Sequence, residues 1–319
     1  LSQSTSCATA LARNAMASTY DFVVGCGAAG VSGGLAVAVM NPLDTLKVRY
    51  QVSASSVAMR PFALEIVAAE GLWGGLYAPG ILANFLGIGI SSMGRVGCYP
   101  HVRDAMLDAA GASEKNAPVM FLAGLLAGGV GYFASSPVYQ VKTLAQAEAG
   151  AIGADGVLTS GASKGEVPRF HGRSLAAGLA ALGADGALLR GSGALMARGA
   201  LLSAGMQLGY DGCKTASKRY GVMDEGFALH AAASTAGAFG GCLCSTPADV
   251  VMTRFQAAGM GGSNPYGSSL ACAAAILKAD GPLAFYRGFT PFFVRLAPVF
   301  IFSLPLTEQI RKLAGLGYM

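Results

Sequence analysis

The stretch Pro42-Leu-Asp44-Thr-Leu-Lys47 ends a long apolar run, and its pattern of proline, acid and base returns twice in altered form. The two later copies are Pro137-Val-Tyr139-Gln-Val-Lys142 and Pro247-Ala-Asp249-Val-Val-Met252. Residues three apart lie on one helical face, so the acid and base positions of each copy are one turn apart. The proline removes a backbone donor and kinks the helix. Three copies about one hundred residues apart indicate an internal triplication.

The composition favours a membrane protein with a polar interior. Hydrophobic residues make up 53% of the 319 residues and charged residues 12%, which is about half the usual charged share. The net charge of +5 is spread along the chain without a basic run, so a nucleic-acid partner is not expected. The seven cysteines are scattered without a CxxC pair. We therefore expect neither a metal site nor a disulfide framework, and no cofactor.

The three copies resemble the Pro-x-[Asp/Glu]-x-x-[Lys/Arg] signature of the mitochondrial carrier family (solute carrier family 25 type), and the resemblance covers about residues 20–316. Each copy precedes a second family feature, an acid–glycine pair followed by an aromatic or basic residue near a glycine. These are Glu70-Gly71 with Tyr77, Asp185-Gly186 with Arg190-Gly191, and Asp280-Gly281 with Tyr286-Arg287-Gly288. The resemblance implies an all-α membrane protein: six transmembrane helices plus three short surface helices in a threefold pseudosymmetric bundle. It also implies a transporter rather than an enzyme, in the mitochondrial inner membrane, with both termini toward the intermembrane space.

The domain organisation that follows is an N-terminal extension, residues 1–19, and three carrier repeats, residues 20–112, 113–222 and 223–319. The extension is rich in Ser, Ala and Thr and has no acid, which is typical of a mitochondrial transit remnant or of a disordered terminus. The glycine-rich, polar segment 148–169 predicts a flexible loop.

One stretch has a competing interpretation. Gly25-Cys26-Gly27-Ala-Ala-Gly30 matches the dinucleotide fingerprint GxGxxG, which would make the protein a nucleotide-binding oxidoreductase if a strand preceded it and a helix followed. Small residues at four-residue spacing also allow close helix packing in membranes. Equivalent pairs of glycines recur at Gly124 and Gly128 and at Gly237 and Gly241, which favours packing.

The resemblance implies two gates. Neighbouring signatures would pair on the matrix side as Asp44 with Lys142, Asp249 with Lys47, and Tyr139 with Met252. The third pair is neutral, so no unmatched buried charge remains; a decayed network in a protein that no longer transports is the alternative. The residues of the opposite, intermembrane-space gate would be Arg103, Asp211, Lys214, Glu308 and Arg311. In the first repeat, Pro100 stands where the acid of that gate should be.

Arginines predict an anionic substrate. Arg198 and Arg295 each lie thirteen residues before a second-gate acid, which is roughly 20 Å of helix and places them near mid-membrane. The matching residue of the first repeat is Gly87, and Arg95 is the nearest cation on that helix. An arginine fork suits carboxylate, phosphate or sulfate. The family's substrate contact points correspond to these positions, although the arginines could instead only anchor neighbouring carbonyls or acids.

The sequences of these motifs are similar to those of the oxaloacetate, dicarboxylate and oxoglutarate carriers. The resemblance therefore implies exchange of a small anion by alternating access, with membrane lipid such as cardiolipin at the short-helix segments Trp73-Gly74-Gly75 and Arg190-Gly191. The alternative is a carrier-fold subunit of a larger inner-membrane (respiratory) complex with weakened or lost transport. The altered residues Gly87, Pro100, Tyr139 and Met252 favour this alternative. The retained arginines Arg198 and Arg295 and the pairs Asp44–Lys142 and Asp249–Lys47 favour transport.

Overall fold

The computed structural model describes residues 2–53, 57–111, 117–221, 227–258 and 265–315. Over these residues the chain is helical, with an isolated antiparallel bridge between Ile152 and Leu158. The predicted repeat boundaries at 112/113 and 222/223 lie outside the described residues. The helices are α1 (Ser2–Val39), α2 (Asn41–Val52), α3 (Met59–Leu72), α4 (Ile81–Ser92), α5 (Tyr99–Ala110), α6 (Ala117–Ala147), α7 (Leu175–Ala184), α8 (Ser192–Tyr220), α9 (Phe227–Ala257), α10 (Ser269–Asp280) and α11 (Phe289–Leu313).

Each predicted repeat contains a long helical segment, a short helix and a second long segment. The first long segment breaks at Met40 between α1 and α2, whereas α6 and α9 continue through Pro137 and Pro247. A π-helical turn, Met93–Gly97, joins α4 to α5. The short helices are α3, α7 and α10. Ser174 and Ser268 cap the starts of α7 and α10, each accepting a backbone N–H.

The long segments form a ring in chain order. Helix α1 packs on α4 and α11, α4 on α6, α6 on α8, α8 on α9, and α9 on α11. Glycines allow the closest of these contacts: a Cβ on Gly205 of α8 would lie 2.4 Å from the carbonyl oxygen of Gly240 on α9. Such contacts let two backbones approach without intervening side chains. The ring order directs one face of every long segment toward a common interior.

The N-terminal region bears on one of the alternatives. Residues 2–19 continue α1 as helix. The glycines of the GxGxxG match lie inside the same helix, and Gly30 packs against Met93 and the backbone of Gly89. Because the fingerprint requires a strand-to-helix turn, the oxidoreductase interpretation is contradicted.

Two helical stretches are long and apolar enough to cross a membrane by length and composition, Tyr20–Val39 and Met59–Ser92. The first is the predicted opening span of the first repeat. The second joins α3 to α4 across Gly71, whose φ of 75° bends the chain there.

Candidate functional site

Six ionisable side chains meet inside the ring. We call them the buried charge cluster, and the most accessible of them is only 4% exposed. They come from α2, α6, α8, α9 and α11, and the two acids, Asp44 and Asp249, each lie two residues after a signature proline. The members are Asp44, Lys47, Lys142, Arg198, Asp249 and Arg295.

The pairs predicted between neighbouring signatures are present as contacts. Lys142 Nζ lies 2.7 Å from Asp44 Oδ2, and Lys47 Nζ lies 2.9 Å from Asp249 Oδ2. Tyr139 and Met252 are packed in one buried apolar cluster. The sequence therefore located these contacts correctly, whereas a gating role for them stays a prediction.

The two arginines predicted for substrate binding join the same acids. Arg198 Nε lies 2.7 Å from Asp249 Oδ1, and Arg295 Nη1 lies 3.4 Å from Asp44 Oδ1. The sequence predicted the arginines in a substrate site and the acids in a separate matrix gate. The alternative was that the arginines anchor neighbouring acids. In this conformation the long arginine side chains reach from α8 and α11 to α9 and α2, so the two sets form one network.

The buried charge cluster holds four cations and two acids, a surplus of two positive charges. Aromatic rings offset part of it. The Phe292 ring centroid is 4.9 Å from Lys47 Nζ, 5.4 Å from Arg198 Cζ and 5.5 Å from Arg295 Cζ. A ring face attracts a cation by about 0.5–2 kcal/mol. That attraction is small beside the several kcal/mol that an uncompensated buried charge costs, so the cluster remains suited to an anion.

Amides complete the coordination of the acids. Asn84 Nδ2 donates to Asp44 Oδ2 at 3.0 Å and to Asn41 Oδ1 at 2.8 Å. Gln51 Nε2 donates to Asp249 Oδ2 at 2.8 Å. Neither Asn84 nor Gln51 was predicted, although Asn84 lies in the uncharged helix α4, where a buried amide needs a partner.

A glutamine nine residues after each signature proline was also missed. Gln51, Gln146 and Gln256 are fully buried. A Cβ on the paired glycine would lie 3.1–3.3 Å from each glutamine side chain. The three glycines immediately precede α4, α8 and α11 and have φ values of 63–83°. Only glycine adopts such values easily. The pairs, each joining one repeat to the next, are Gly80 with Gln146, Gly191 with Gln256 and Gly288 with Gln51. The constant spacing of nine residues between proline and glutamine in all three repeats was the sequence signal.

Of the two substrate positions predicted in the first repeat, Gly87 is fully described. A side chain at Gly87 would begin 3.2 Å from the Tyr139 ring, so Gly87 serves as a close contact between α4 and α6. The side chain of Arg95 lies outside the described residues.

The predicted second gate is described only in part. Arg103 Nη2 lies 2.7 Å from a carboxylate oxygen of its neighbour Asp104. The guanidinium of Arg311 lies beside Gly25 of α1, and Lys214 is half-buried on α8. The side chains of Asp211 and Glu308 lie outside the described residues.

The acid of each acid–glycine pair holds an arginine. Glu70 accepts from Arg49 at 2.7 Å and Asp280 from Arg254 at 2.5 Å. Both arginines lie seven residues after a signature proline, but the second repeat has Leu144 at that position. Its Asp185 pairs instead with Arg169, at 3.0 Å, from the loop after α6.

This loop, which we call the repeat-2 loop (residues 148–173), is anchored at both ends, so the expectation of a flexible segment was wrong. The Glu148 carboxylate accepts the backbone N–H groups of Arg169, Phe170 and His171 at 2.7–2.9 Å. Ser160 Oγ donates to Glu70 Oε1 of the first repeat at 2.6 Å. These contacts are long-range in sequence, and composition alone does not reveal them.

The repeat-2 loop predicts a pH effect on stability. Burial lowers the pKa of His171 below its usual value, against the opposing charges of Glu148 and Glu70. The unfolded chain therefore binds this proton at higher pH than the folded chain, and stability is lost as pH falls below about 6.5. We expect the melting temperature of the detergent-solubilised protein to fall more steeply between about pH 7 and about pH 5 in the wild type than in His171→Gln.

The control is His101→Gln, on α5, which should keep the wild-type slope. Equal pH slopes in the wild type and His171→Gln would contradict the prediction. Differential scanning fluorimetry of both variants in the same detergent gives the comparison.

A sequence model of the family described as mitochondrial carrier protein matches residues 18–110 and 224–316, more than half of the chain. The chain belongs to the mitochondrial carrier family. Members of this family are transporters of the mitochondrial inner membrane, and the fold and paired signatures of this carrier agree with that membership. The repeat-2 loop lies between the two matched segments. So does Leu144, which stands where the other two repeats have an arginine.

Several relatives of this carrier extend over most of its length. The mitochondrial uncoupling protein 1 of Arabidopsis thaliana is 30% identical over 85% of this chain and 87% of its own. The mitochondrial dicarboxylate/tricarboxylate transporter DTC of the same plant is 30% identical over 89% and 91%. A probable mitochondrial 2-oxoglutarate/malate carrier protein of Dictyostelium discoideum is 26% identical over 92% and 89%. Similarity at this level establishes the family and leaves the substrate open.

Proposed function

We propose that this carrier exchanges a small dianion, a dicarboxylate, an oxo-dicarboxylate such as oxaloacetate, or sulfate, across the mitochondrial inner membrane by alternating access. The surplus of two positive charges in the buried charge cluster carries the proposal. A ligand with two negative charges makes the occupied site neutral, whereas a neutral or cationic ligand leaves the cost of the buried surplus in place. Relatives named as dicarboxylate/tricarboxylate and 2-oxoglutarate/malate carriers support this class of substrate.

The shared acids suggest how binding opens the gate. Arg198 connects α8 to α9 through Asp249, and Arg295 connects α11 to α2 through Asp44. A dianion that takes both guanidinium groups leaves each acid with its lysine and amide partners and removes two links between helices. The substrate thus weakens the matrix-side contacts by the same interactions that hold it. Its effect on the equilibrium equals its preference for the opened state.

The same proposal includes the full bundle geometry. Contacts that lead from each repeat to the next, Asp44 with Lys142, Tyr139 with Met252 and Asp249 with Lys47, support threefold pseudosymmetry around one axis. In it, six spans cross the membrane and both termini face the intermembrane space. The signature prolines face the matrix, and Arg103, Asp211, Lys214, Glu308 and Arg311 form the opposite gate. Anionic lipid such as cardiolipin binds at the short-helix ends near Trp73 and Arg190.

A second candidate is a carrier-fold subunit of a larger inner-membrane complex. The neutral pair of Tyr139 and Met252 and the close packing of Gly87 on Tyr139 favour it, because each removes a charge that a transporter of this type would use. Fixed-stoichiometry migration with a larger complex would support this role.

Uptake into liposomes tests the proposal. Purified carrier in malate-loaded vesicles should exchange labelled malate, oxaloacetate or sulfate, and should exchange acetate at least about tenfold more slowly because a monoanion leaves one charge uncompensated. The preferred label identifies the substrate. If folded, lipid-bound protein moves none of these anions, the proposed substrate class is wrong and the subunit role is favoured.

A further inference from the structure

The end of the ring opposite the signature prolines holds two thiols. Cys26 of α1 lies sixteen residues before Pro42, roughly 24 Å along the helix. Cys98 follows the π-helical turn that joins α4 to α5. The two sulfur atoms are 3.9 Å apart, with Cys26 buried and Cys98 half-buried. We propose that Cys26 and Cys98 are an oxidisable dithiol whose disulfide locks α1 to the junction of α4 and α5.

The backbones already approach closely enough for a disulfide. A Cβ on Gly97 would lie 2.6 Å from the Cα of Cys26, so the two backbone segments are in contact beside the thiols. A disulfide needs a sulfur separation of about 2 Å. Closing the remaining gap requires a movement of about 2 Å, and the π-helical turn Met93–Gly97 is an irregular element able to absorb it.

The surroundings connect the thiols to the predicted second gate. Gly25, next to Cys26, contacts the guanidinium of Arg311, and Cys98 lies two residues before Pro100 and five before Arg103. The first repeat lacks the acid of this gate and has a thiol pair close by instead. Other described cysteines are placed differently: Cys242 is buried and Cys244 is exposed on the same helix, two residues apart and therefore on different faces.

The chemistry needs a disulfide oxidant such as oxidised glutathione. One protein thiolate attacks a glutathione sulfur and releases one glutathione thiolate, giving a mixed disulfide. The second protein thiolate attacks the protein sulfur of that mixed disulfide and releases the other glutathione. Two protein thiols lose two protons and two electrons, and one oxidised glutathione becomes two reduced molecules.

Peptide mapping tests the site without reference to transport. The full-length protein in liposomes is equilibrated with oxidised and reduced glutathione, quenched in acid, alkylated and digested. We expect a linked peptide containing Cys26 and Cys98 under oxidising conditions, its loss on reduction, and its absence in Cys26→Ala and Cys98→Ala. Cys244→Ala is the matched control and should keep it. Absence of the linked peptide from the oxidised wild type, or its replacement by links to other cysteines, would overturn the proposal.

The lock itself is tested by uptake and rests on the proposed function. Oxidation should slow anion exchange by the wild type by about tenfold, because gate motion limits the rate, and reductant should restore it. Cys26→Ala should be unaffected by either treatment. A disulfide that forms while exchange is unchanged would overturn the lock. If the reduced protein moves no anion, the proposed function fails while the peptide map still decides whether the dithiol exists.

Discussion

Anion exchange should fall by about thirtyfold to a hundredfold in Arg198→Ala, and by a similar factor in Arg295→Ala. Each substitution removes one charge-assisted hydrogen-bonding group, worth about 1.5–3 kcal/mol, from a site that excludes water. The surplus charge of the cluster falls from two to one, so a dianion no longer makes it neutral. Initial rates of labelled malate exchange in liposomes, measured against substrate concentration, give the result.

Lysine at the same positions separates charge from geometry. Arg198→Lys keeps the positive charge but loses the planar fork that binds two oxygens of one carboxylate. We expect it to recover part of the loss, to within about tenfold of the wild type, mainly through the half-saturation constant. An alanine variant as fast as lysine would instead show that Arg198 only shields Asp249.

Arg173→Ala is the matched control, since Arg173 is an exposed arginine in the repeat-2 loop. Its removal takes the same charge from the protein but leaves the cluster intact, and exchange should be unchanged. Wild-type exchange by both Arg198→Ala and Arg295→Ala would contradict the proposed site. The comparison also corrects for differences in insertion, provided that each sample is normalised to folded protein.

The sequence was sufficient to locate the signature pairs but not the contacts that other side chains make with them. The contacts of Asp44 with Lys142 and of Asp249 with Lys47 followed from three prolines at a regular period, because the family geometry fixes which signatures are neighbours. The convergence of Arg198 on Asp249 did not follow. A residue count along α8 gives a height in the membrane, but an arginine side chain is long enough to shift its charge by more than one helical turn.

The repeat-2 loop shows the second limit. Its composition of small and polar residues predicted flexibility, yet Glu148 binds three backbone N–H groups and Ser160 contacts Glu70 of another repeat. No periodicity in the sequence predicts such contacts, since they depend on where two distant segments meet in space. The substitution of Leu144 for a base was the available clue, because it left Asp185 in need of a partner from elsewhere.

Asp249→Asn should be the most destabilising single change in the buried charge cluster. Asp249 accepts from Lys47 at 2.9 Å and Gln51 at 2.8 Å, and lies 2.7 Å from Arg198. Asparagine keeps the shape but raises the surplus from two positive charges to three. Leaving buried cations without their acid costs about 3–5 kcal/mol, which we expect to lower the melting temperature in detergent by about 10 °C. Met252→Leu, one turn away on α9 and neutral, should cost less than about 1.5 kcal/mol.

If unbalanced charge causes the destabilisation, removing a neighbouring cation should restore part of the stability. Adding Lys47→Met to Asp249→Asn removes one cation together with the acid and returns the surplus to two. The double variant should therefore melt above Asp249→Asn alone, with a coupling of about 1–3 kcal/mol between the two sites. Malate should also stabilise Asp249→Asn more than the wild type, since a surplus of three positive charges attracts a dianion more strongly than a surplus of two. If the double variant melts at the sum of the two single losses, the acid and base act independently, and the destabilisation comes from lost hydrogen bonds rather than from unbalanced charge.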